Sequence, residues 1–375
     1  MSSATSVNGS TAETMAEVSL PLNRITSDYI EILFLALMIV VGIPINLHVL
    51  RKLLHLFIQS NRPSTMRVIK RGMLMMKLNL NISNLFILCT YCPVKIAWLL
   101  SYQWRAGDLL CKVTHFVWVV AFTSASNIVA CIALDRAVAV RGLLAMRSAT
   151  SSRRTSVILD RKSLWRVRIL LTLAWFSAIL WSVPQLALWG VIELPESGST
   201  WVQCTSVWRK ASVCRIVGCS YWEPPLPIAV YLIYHLAAIF WAPFVLVVVS
   251  YVYVAVRLFS YSCSPISTTT LLRPERHRSY SQSAIVMIPN LMHFEQPVQM
   301  SLPAWRSQMR SKVFRTAAII VSVHSCCWLP YSIMSLIGAI GSQLDETAVD
   351  HIEFAKWLII VDTVINPFIY GFQSE

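Results

Sequence analysis

The sequence predicts an all-α membrane protein, a bundle of seven transmembrane helices with an extracellular N-terminus. Hydrophobic residues make up 56% of the 375-residue chain and charged residues only 13%, whereas soluble domains average about 45–50% and about 25%. The apolar residues are gathered into stretches of the length that a membrane-spanning helix needs, about 20 residues. The basic residues are concentrated in alternate loops between these stretches. A soluble enzyme or a disordered chain would show neither pattern.

The elements follow one another from a polar tail to the seventh stretch. Residues 1–28 are rich in Ser and Thr and lack the apolar core of a signal peptide, so we expect no cleavable signal peptide; with the N-terminus outside, as the basic residues indicate, they form an extracellular tail. Its Asn8-Gly9-Ser10 triplet fits the sequon for N-glycosylation. Each apolar stretch must be helical, because backbone amides in lipid have no water to bond with. The seven stretches, within one transmembrane domain over 29–375, are 29–50, 78–100, 112–135, 168–190, 228–256, 313–340 and 354–372.

The distribution of Lys and Arg orients this bundle. With the N-terminus outside, the inner loops 51–77, 136–168 and 257–315 hold 24 of the 32 basic residues. Cytoplasmic loops of membrane proteins carry such an excess. The net charge of +14 therefore indicates topology and lipid contact, and we expect no nucleic-acid partner. The third inner loop, about 257–312, is rich in Ser, Thr and Pro, and we expect it to be flexible.

Polar motifs occur at fixed places along the stretches. Asp135-Arg136 ends the third stretch, Cys327-Trp328-Leu329-Pro330 lies in the sixth, and Asn366-Pro367-Phe368-Ile369-Tyr370 lies at the end of the seventh. In this order the motifs resemble those of rhodopsin-like (family A) G-protein-coupled receptors. Further matches to that family are Cys111, Asn46, Trp175, Pro243 and Tyr251.

Two longer segments narrow the resemblance to one group of receptors within this family. Residues 79–113 and 126–140 are similar to the receptors for gonadotropin-releasing hormone, adipokinetic hormone and corazonin. The resemblance implies a plasma-membrane receptor that binds an extracellular peptide hormone and activates a heterotrimeric G protein, Gq in that group. Two alternatives are a transporter or channel, and a divergent or truncated receptor, because only five residues follow Tyr370. The sequence shows no nucleophile–base pair, metal cluster or phosphate loop of an enzyme.

The resemblance also implies a disulfide bond at the outer side. Cys111 would pair with a cysteine of the second outer loop, where Cys204, Cys214 and Cys219 are candidates. The surroundings of Cys204 are most similar to the group, so we expect the Cys111–Cys204 bond. Cys214 and Cys219 would then pair with each other or stay free, because sequence alone does not fix connectivity.

At the inner side, the resemblance implies that Arg136 contacts the G protein and that Asp135 restrains it at rest. Ala137 stands where Tyr is usual, and the start of the sixth helix offers Arg310 and Lys312 instead of an acid. We therefore expect that no Arg–Glu ion pair joins Arg136 to the sixth helix at rest, and that the resting state is held less firmly. The remaining activation residues that the resemblance implies are Tyr251, Trp328, Pro330, Asn366, Pro367 and Tyr370.

One acidic residue lies deep in a span. A charge at the bilayer centre costs about 2.5–3.5 kcal/mol on insertion scales, and Asp362 is the acidic residue at such a depth. Asn84 stands where the family carries the Asp of a sodium-binding cluster. One hypothesis is an allosteric sodium ion bound by Asp362, with oxygen atoms from Asn84, Ser124, Ser126 and Asn366. The other is that Asp362 is hydrogen-bonded to neighbouring helices. His324, one turn before Trp328, is expected to be a hydrogen-bonded core residue.

The resemblance places a ligand pocket between the outer ends of the second, third, sixth and seventh spans. Trp118 stands where amine receptors carry Asp, and an ammonium ligand would be unpaired there. Aromatic side chains and a lysine would suit a blocked peptide that contains aromatic residues, although some of the Trp residues could instead anchor the helices at the membrane interface. The expected ligand-binding residues are Lys95, Trp98, His115, Trp118, Trp328 and Tyr331.

Overall fold

The computed structural model describes residues 26–59, 65–148, 153–196, 199–218, 224–262, 312–340 and 346–371. The predicted glycosylation site at Asn8, Cys219, Arg310 and all but the ends of the third inner loop lie outside the described residues. Following the orientation that the basic residues predict, we call the end of the bundle that carries Cys111 the outer end and the end that carries Arg136 the inner end.

Seven helical segments in the described part of the chain are long and apolar enough to cross a membrane, which confirms the predicted seven-helix bundle. The first four spans are formed by α1 (Thr26–Gln59), α2 (Thr65–Ser101), α3 (Gly107–Ser148) and α4 (Arg153–Ser182). The outer loop that follows contains α5 (Gln185–Leu188), β1 (Trp189–Glu196), β2 (Ser199–Ser206) and α6 (Val207–Val217). The last three spans are formed by α7 (Ile228–Leu236) with a π-helical turn (Ala237–Trp241) and α8 (Ala242–Ser262), then α9 (Lys312–Ile340) and α10 (Glu346–Gly371).

The third span forms the centre of the bundle. In its most apolar window 78% of the residues are buried, against 17% in the first span. Ile128 and Ile132 are fully buried and pack in one cluster with Met76 and Leu80 of the second span and Ile320 of the sixth. Lipid is as apolar as these side chains, so close packing rather than exclusion from water holds them together.

Amide and indole groups join the spans at two further points. The Asn46 side chain donates to the carbonyl oxygens of Gly42 (2.9 Å) and Thr363 (3.1 Å) and accepts from Asn81 (2.9 Å), which ties the first, second and seventh spans together. Trp175 donates its indole N–H to the Asn79 side chain at 3.1 Å and so joins the fourth span to the second. Every partner in these bonds comes from within the bundle, as the absence of water in a bilayer core requires.

The fifth span is interrupted by the π-helical turn Ala237–Trp241, whereas the sequence predicted one continuous stretch over 228–256. Pro243 lies two residues after the turn, and proline cannot donate the backbone bond that a regular helix would need at that point. A π turn accommodates the extra residue inside a helix and is frequent at functional sites. Here it contains Phe240, which is buried and lies parallel to the ring of Trp328 with 6.2 Å between centroids.

A β-hairpin covers the outer end of the bundle. β1 and β2 pair antiparallel from Trp189↔Ser206 to Glu196↔Ser199. The predicted fourth stretch, 168–190, was too long for a helix, because α4 ends at Ser182 before Pro184 and residues 189–190 belong to β1. The Cys111–Cys204 disulfide fastens the hairpin to the third span, which confirms the predicted bond.

Two polar contacts add to the anchorage of the hairpin. The backbone N–H of Trp104 donates to the carbonyl oxygen of Val202 at 2.8 Å, and Asp108 accepts from the backbone N–H of Val191 at 2.9 Å. On α6, burial lowers the pKa of Lys210, and the nearby carboxylate of Asp108 opposes this shift. Cys214 is also disulfide-bonded, so of the two alternatives for it the free thiol is wrong.

Candidate functional site

A cavity of about 310 Å³ opens beneath the hairpin between the second, third, fifth, sixth and seventh spans. Its lining includes all six side chains that were expected to bind ligand, so the sequence identified residues that meet in one place; their role in binding stays a prediction. They are Lys95, Trp98, His115, Trp118, Trp328 and Tyr331. Sequence reasoning did not single out the residues that close the remaining sides, among them Tyr91, Gln185, Trp189, Tyr231, His235 and Lys356.

Stacked rings form the wall below the hairpin. Trp189 of β1 lies parallel to the imidazole of His115, with 3.4 Å between ring centroids. Trp118 meets His115 edge-on at 5.0 Å and donates its indole N–H to the carbonyl oxygen of Thr90 at 3.1 Å. Trp98 donates to the side chain of Gln203 on β2 at 2.8 Å. These tryptophans therefore face the cavity or the hairpin and are not interfacial anchors pointing at lipid.

The charged groups of the cavity lining are cationic. Lys95 lies 3.7 Å from the carboxylate of Glu31 and 5.8 Å from the centroid of the Trp98 ring. Lys356 contributes a second ammonium group from the seventh span, and no carboxylate is among the described residues that line the cavity. A ligand ammonium would find no counter-charge on this lining, as the presence of Trp118 at the amine position suggested.

Gln185 supplies a hydrogen-bonding group whose importance the sequence did not indicate. Its side-chain oxygen accepts from the indole N–H of Trp189 at 2.9 Å and from the hydroxyl of Tyr231 at 2.8 Å. An indole N–H can only donate, so the atom that faces it must be the amide oxygen. The amide nitrogen is then left without a partner among the described residues, although the side chain is buried. The Nε2 atom of His115 also has no hydrogen-bond partner among the described residues.

Trp328 forms the floor of the cavity and separates it from a polar core. Its ring is 6.0 Å from that of Phe122 and 5.3 Å from that of His324, centroid to centroid. The prediction that His324 is a hydrogen-bonded core residue agrees with its geometry. His324 Nδ1 lies 2.8 Å from a carboxylate oxygen of Asp362, and its Nε2 lies 3.3 Å from the hydroxyl of Ser126.

Asp362, Ser124 and Ser126, three of the side chains that were expected to bind sodium, are engaged with protein partners, whereas Oδ1 of Asn366 has no partner among the described residues. The second oxygen of Asp362 accepts from the Asn366 side chain at 3.0 Å. Ser124 bonds to the hydroxyl of Ser83 at 2.8 Å and to the carbonyl oxygen of Ala121 at 2.9 Å. Hard cations take oxygen ligands, and here nitrogen groups lie against both oxygens of the one carboxylate. The residues present therefore do not fit a sodium ion, and the alternative of a hydrogen-bonded Asp362 describes the structure.

At the inner end, Asp135 is held between two arginines. One carboxylate oxygen contacts the guanidinium of Arg136, and the other lies 2.7 Å from that of Arg166 in the fourth span. Asp135 and Arg136 are both buried. The contact expected between the two neighbouring residues is present, whereas Arg166, which lies 31 positions further along, was not foreseen.

The other activation residues lie on the fifth, sixth and seventh spans. Tyr251 is half-buried, packs beside Phe314 at 6.2 Å between centroids, and its hydroxyl has no hydrogen-bond partner among the described residues. The Tyr370 hydroxyl accepts from Asn81 at 3.5 Å. Pro330 and Pro367 lie inside α9 and α10. The two tyrosines thus contact different spans in this state.

Comparison with known proteins places these features in a known context. The family model "7 transmembrane receptor (rhodopsin family)" matches residues 65–370. The chain is 28% identical to the G-protein coupled receptor daf-38 of Caenorhabditis elegans, an alignment that covers 94% of this chain and 90% of that protein. It is 26% identical to the gonadotropin-releasing hormone receptor of Octopus vulgaris, with 78% and 61% covered. It is also 21% identical to the high-affinity lysophosphatidic acid receptor of Xenopus laevis, with 77% and 67% covered.

Proposed function

The chain belongs to the rhodopsin family of seven-transmembrane receptors, and from that premise we propose that it binds a peptide hormone or neuropeptide outside the cell and activates a G protein of the Gq class. The members of this family are receptors and not enzymes, and the chain is a multi-pass protein of the plasma membrane. Its extracellular N-terminus, its ligand and its G protein are parts of the proposal.

The cavity beneath the hairpin carries this proposal. Its lining combines aromatic rings with hydrogen-bond donors: the amide N–H₂ of Gln185, which has no partner among the described residues, and the ammonium groups of Lys356 and of Lys95, the latter 3.7 Å from Glu31. The blocked end of a peptide offers carbonyl oxygens to such donors, and an aromatic side chain next to it can stack on Trp118 or His115. A volume of about 310 Å³ admits the end of a peptide and leaves the rest of it to contact the hairpin.

The path from the cavity to the inner end starts at its floor. A ligand that binds more tightly when the sixth span has moved outward shifts the population toward that state. Trp328 lies both under the ligand cavity and on the sixth span, so a ligand contact there acts directly on the moving element. Outward movement would expose Arg136 to the G protein, and its guanidinium can bond several acceptors without losing its charge.

An acidic lipid is a second candidate ligand. Two ammonium groups and no carboxylate among the described lining residues favour an anion, and a receptor named for lysophosphatidic acid is among the relatives. The aromatic wall and the greater likeness to a gonadotropin-releasing hormone receptor favour the peptide. The same assay separates the two ligands.

The test is a calcium assay on cells that express the full chain at their surface. Amidated peptides of the gonadotropin-releasing hormone, adipokinetic hormone and corazonin types are applied, with lysophosphatidic acid as the second arm. We expect one peptide class to release calcium and a Gq inhibitor to abolish the response. Trp118→Ala should raise the effective concentration at least tenfold, the equivalent of about 1.4 kcal/mol. Trp165→Ala, a change at an exposed tryptophan far from the cavity, should leave it unaltered.

Three outcomes would contradict the proposal. Silence toward all three peptide classes despite surface expression would reject the peptide ligand, and a response to lysophosphatidic acid alone would favour the second candidate. A response that Trp118→Ala leaves unchanged would reject the cavity as the binding site. A calcium response that survives the Gq inhibitor would reject the G-protein class.

A further inference from the structure

The polar core beneath Trp328 consists of four buried side chains from three spans. His324 comes from the sixth span, Asp362 and Asn366 from the seventh, and Ser126 from the third, and each is at most 4% exposed. The sequence led us to expect a sodium ion at this place. The contacts among these groups instead satisfy both oxygens of the Asp362 carboxylate within the protein, while Oδ1 of Asn366 has no partner among the described residues.

Both oxygens of the Asp362 carboxylate have a nitrogen partner. Nδ1 of His324 is 2.8 Å from one oxygen, and the amide N–H₂ of Asn366 donates to the other at 3.0 Å. Toward an ionised carboxylate, which only accepts, the imidazole presents an N–H at Nδ1. One of the two lone pairs of that oxygen is then directed at this N–H, and the ring occupies the space beside it.

The remaining side of the imidazole is also held. Nε2 lies within 3.3 Å of the Ser126 hydroxyl, so one ring bridges the third and seventh spans while belonging to the sixth. The other predicted sodium ligand of the third span, Ser124, is bonded to Ser83 of the second span. The two serine oxygens of the third span that were expected to surround an ion therefore belong to two separate hydrogen-bonded groups.

We propose that the imidazole of His324 takes the place of the sodium ion in the core of this receptor, so that a direct side-chain bond joins the sixth and seventh spans. Burying a carboxylate is costly unless it is paired and hydrogen-bonded, and His324 with Asn366 meets that need from within the chain. The Asp362 carboxylate is then satisfied without an added cation. The stability of the receptor core is set by the sequence and not by the concentration of sodium.

The proposal makes His324 the residue that determines what Asp362 can bind. Replacement of His324 by Phe removes the ring nitrogens and leaves one carboxylate oxygen without a partner. Asp362, Ser126 and Asn366 then offer oxygen atoms around a vacated space, which is the donor type that a hard cation takes. His324→Phe should therefore gain the sodium dependence that the wild-type receptor lacks.

The test measures thermal unfolding of the purified full-length receptor in detergent, without any ligand, in sodium chloride and in N-methyl-D-glucamine chloride at equal ionic strength. A cation that binds only the folded state raises the unfolding midpoint. We expect no difference between the two salts for wild type, a higher midpoint in sodium for His324→Phe, and no difference for the double variant His324→Phe/Asp362→Asn. Ser332→Ala, which removes another buried hydroxyl from the sixth span, should behave as wild type does.

A sodium-dependent midpoint in the wild-type receptor would overturn the proposal. So would sodium independence of both His324→Phe and a second variant, His324→Gln, because Asp362 would then not be a site that His324 closes. If neither variant folds, the wild-type comparison decides: a midpoint that rises in sodium refutes the proposal and equal midpoints uphold it. No step of this experiment depends on the identity of the hormone.

Discussion

Gln185→Met tests whether the outer end of the bundle is organised around one amide oxygen. Methionine has about the same length as glutamine but offers no comparable acceptor, so the indole N–H of Trp189 and the hydroxyl of Tyr231 both lose the bond to Gln185 and keep only their contact with each other. Each unsatisfied buried donor costs about 1–3 kcal/mol. Because both donors lie beside a cavity that water can enter, we take the lower end of that range and expect a loss of about 2–3 kcal/mol for the pair.

The assay is thermal unfolding of the purified receptor without ligand. One kcal/mol corresponds to about 2–4 °C in domains of 150–250 residues, so Gln185→Met should lower the midpoint by about 4–12 °C. Gln185→Glu is the matched control. Its carboxylate still accepts from Trp189 and Tyr231, so the midpoint should stay close to that of the wild type, while the unpaired N–H₂ that faces the cavity is lost.

Two results would refute this reasoning. If Gln185→Met unfolds at the wild-type temperature, the two hydrogen bonds do not stabilise the outer end. If Gln185→Glu is as unstable as Gln185→Met, the loss comes from a change in packing or charge and not from the missing acceptor. The comparison of the two variants therefore separates hydrogen bonding from shape.

Three further predictions concern other parts of the molecule. Cys204→Ser opens a disulfide between residues 93 positions apart and should lower the free energy of unfolding by about 2–4 kcal/mol, measured as a lower unfolding midpoint. Cys89→Ser, at an exposed free thiol, is the control and should be neutral, and equal midpoints of the two variants would contradict the prediction. Asp135→Asn weakens the pairing of two arginines and should raise inositol phosphate accumulation in unstimulated cells at least twofold over wild type at equal surface expression; an unchanged basal level would show that this carboxylate does not restrain the resting state. Gly42→Ala places a methyl group 2.9 Å from Leu88 Cδ1 and 3.0 Å from Val364 Cγ2 and should destabilise by about 1–3 kcal/mol through overpacking, and a midpoint equal to that of wild type would mean that these two side chains move aside without cost.

The sequence predicted the number of helices because that number depends on properties of each segment alone. Length and apolarity decide whether a segment crosses a bilayer, and every predicted stretch has its counterpart. The ends were less accurate. α3 continues to Ser148, beyond the predicted end at 135, because a helix can extend past the hydrocarbon into water. The hairpin at residues 189–206 was missed, because its pairing register depends on contacts with the third span and the disulfide.

The sequence predicted which residues belong to the candidate site but not which of them contact one another. Resemblance to the family identified the six pocket side chains, the disulfide and the activation motifs by position. It did not indicate that His324 contacts Asp362 or that Arg166 contacts Asp135, because neither His324 nor Arg166 belongs to a family motif. Such pairs are set by the rotation of two helices about their own axes, and hydropathy carries no information on that rotation between distant segments. Gln185 was missed for the same reason.

The π-helical turn Ala237–Trp241 divides the fifth span into two halves whose rotational phases are set separately. One residue of a helix corresponds to a rotation of about 100°, so loss of the extra residue would turn Tyr231 and His235 away from the cavity while the half that carries Tyr251 keeps its contacts. A one-residue deletion or insertion at this turn is therefore a single mutation that changes which side chains of the fifth span face the cavity. The surface offered to the G protein is inherited unchanged, and ligand specificity can diverge among descendants of this receptor without loss of their shared signalling partner.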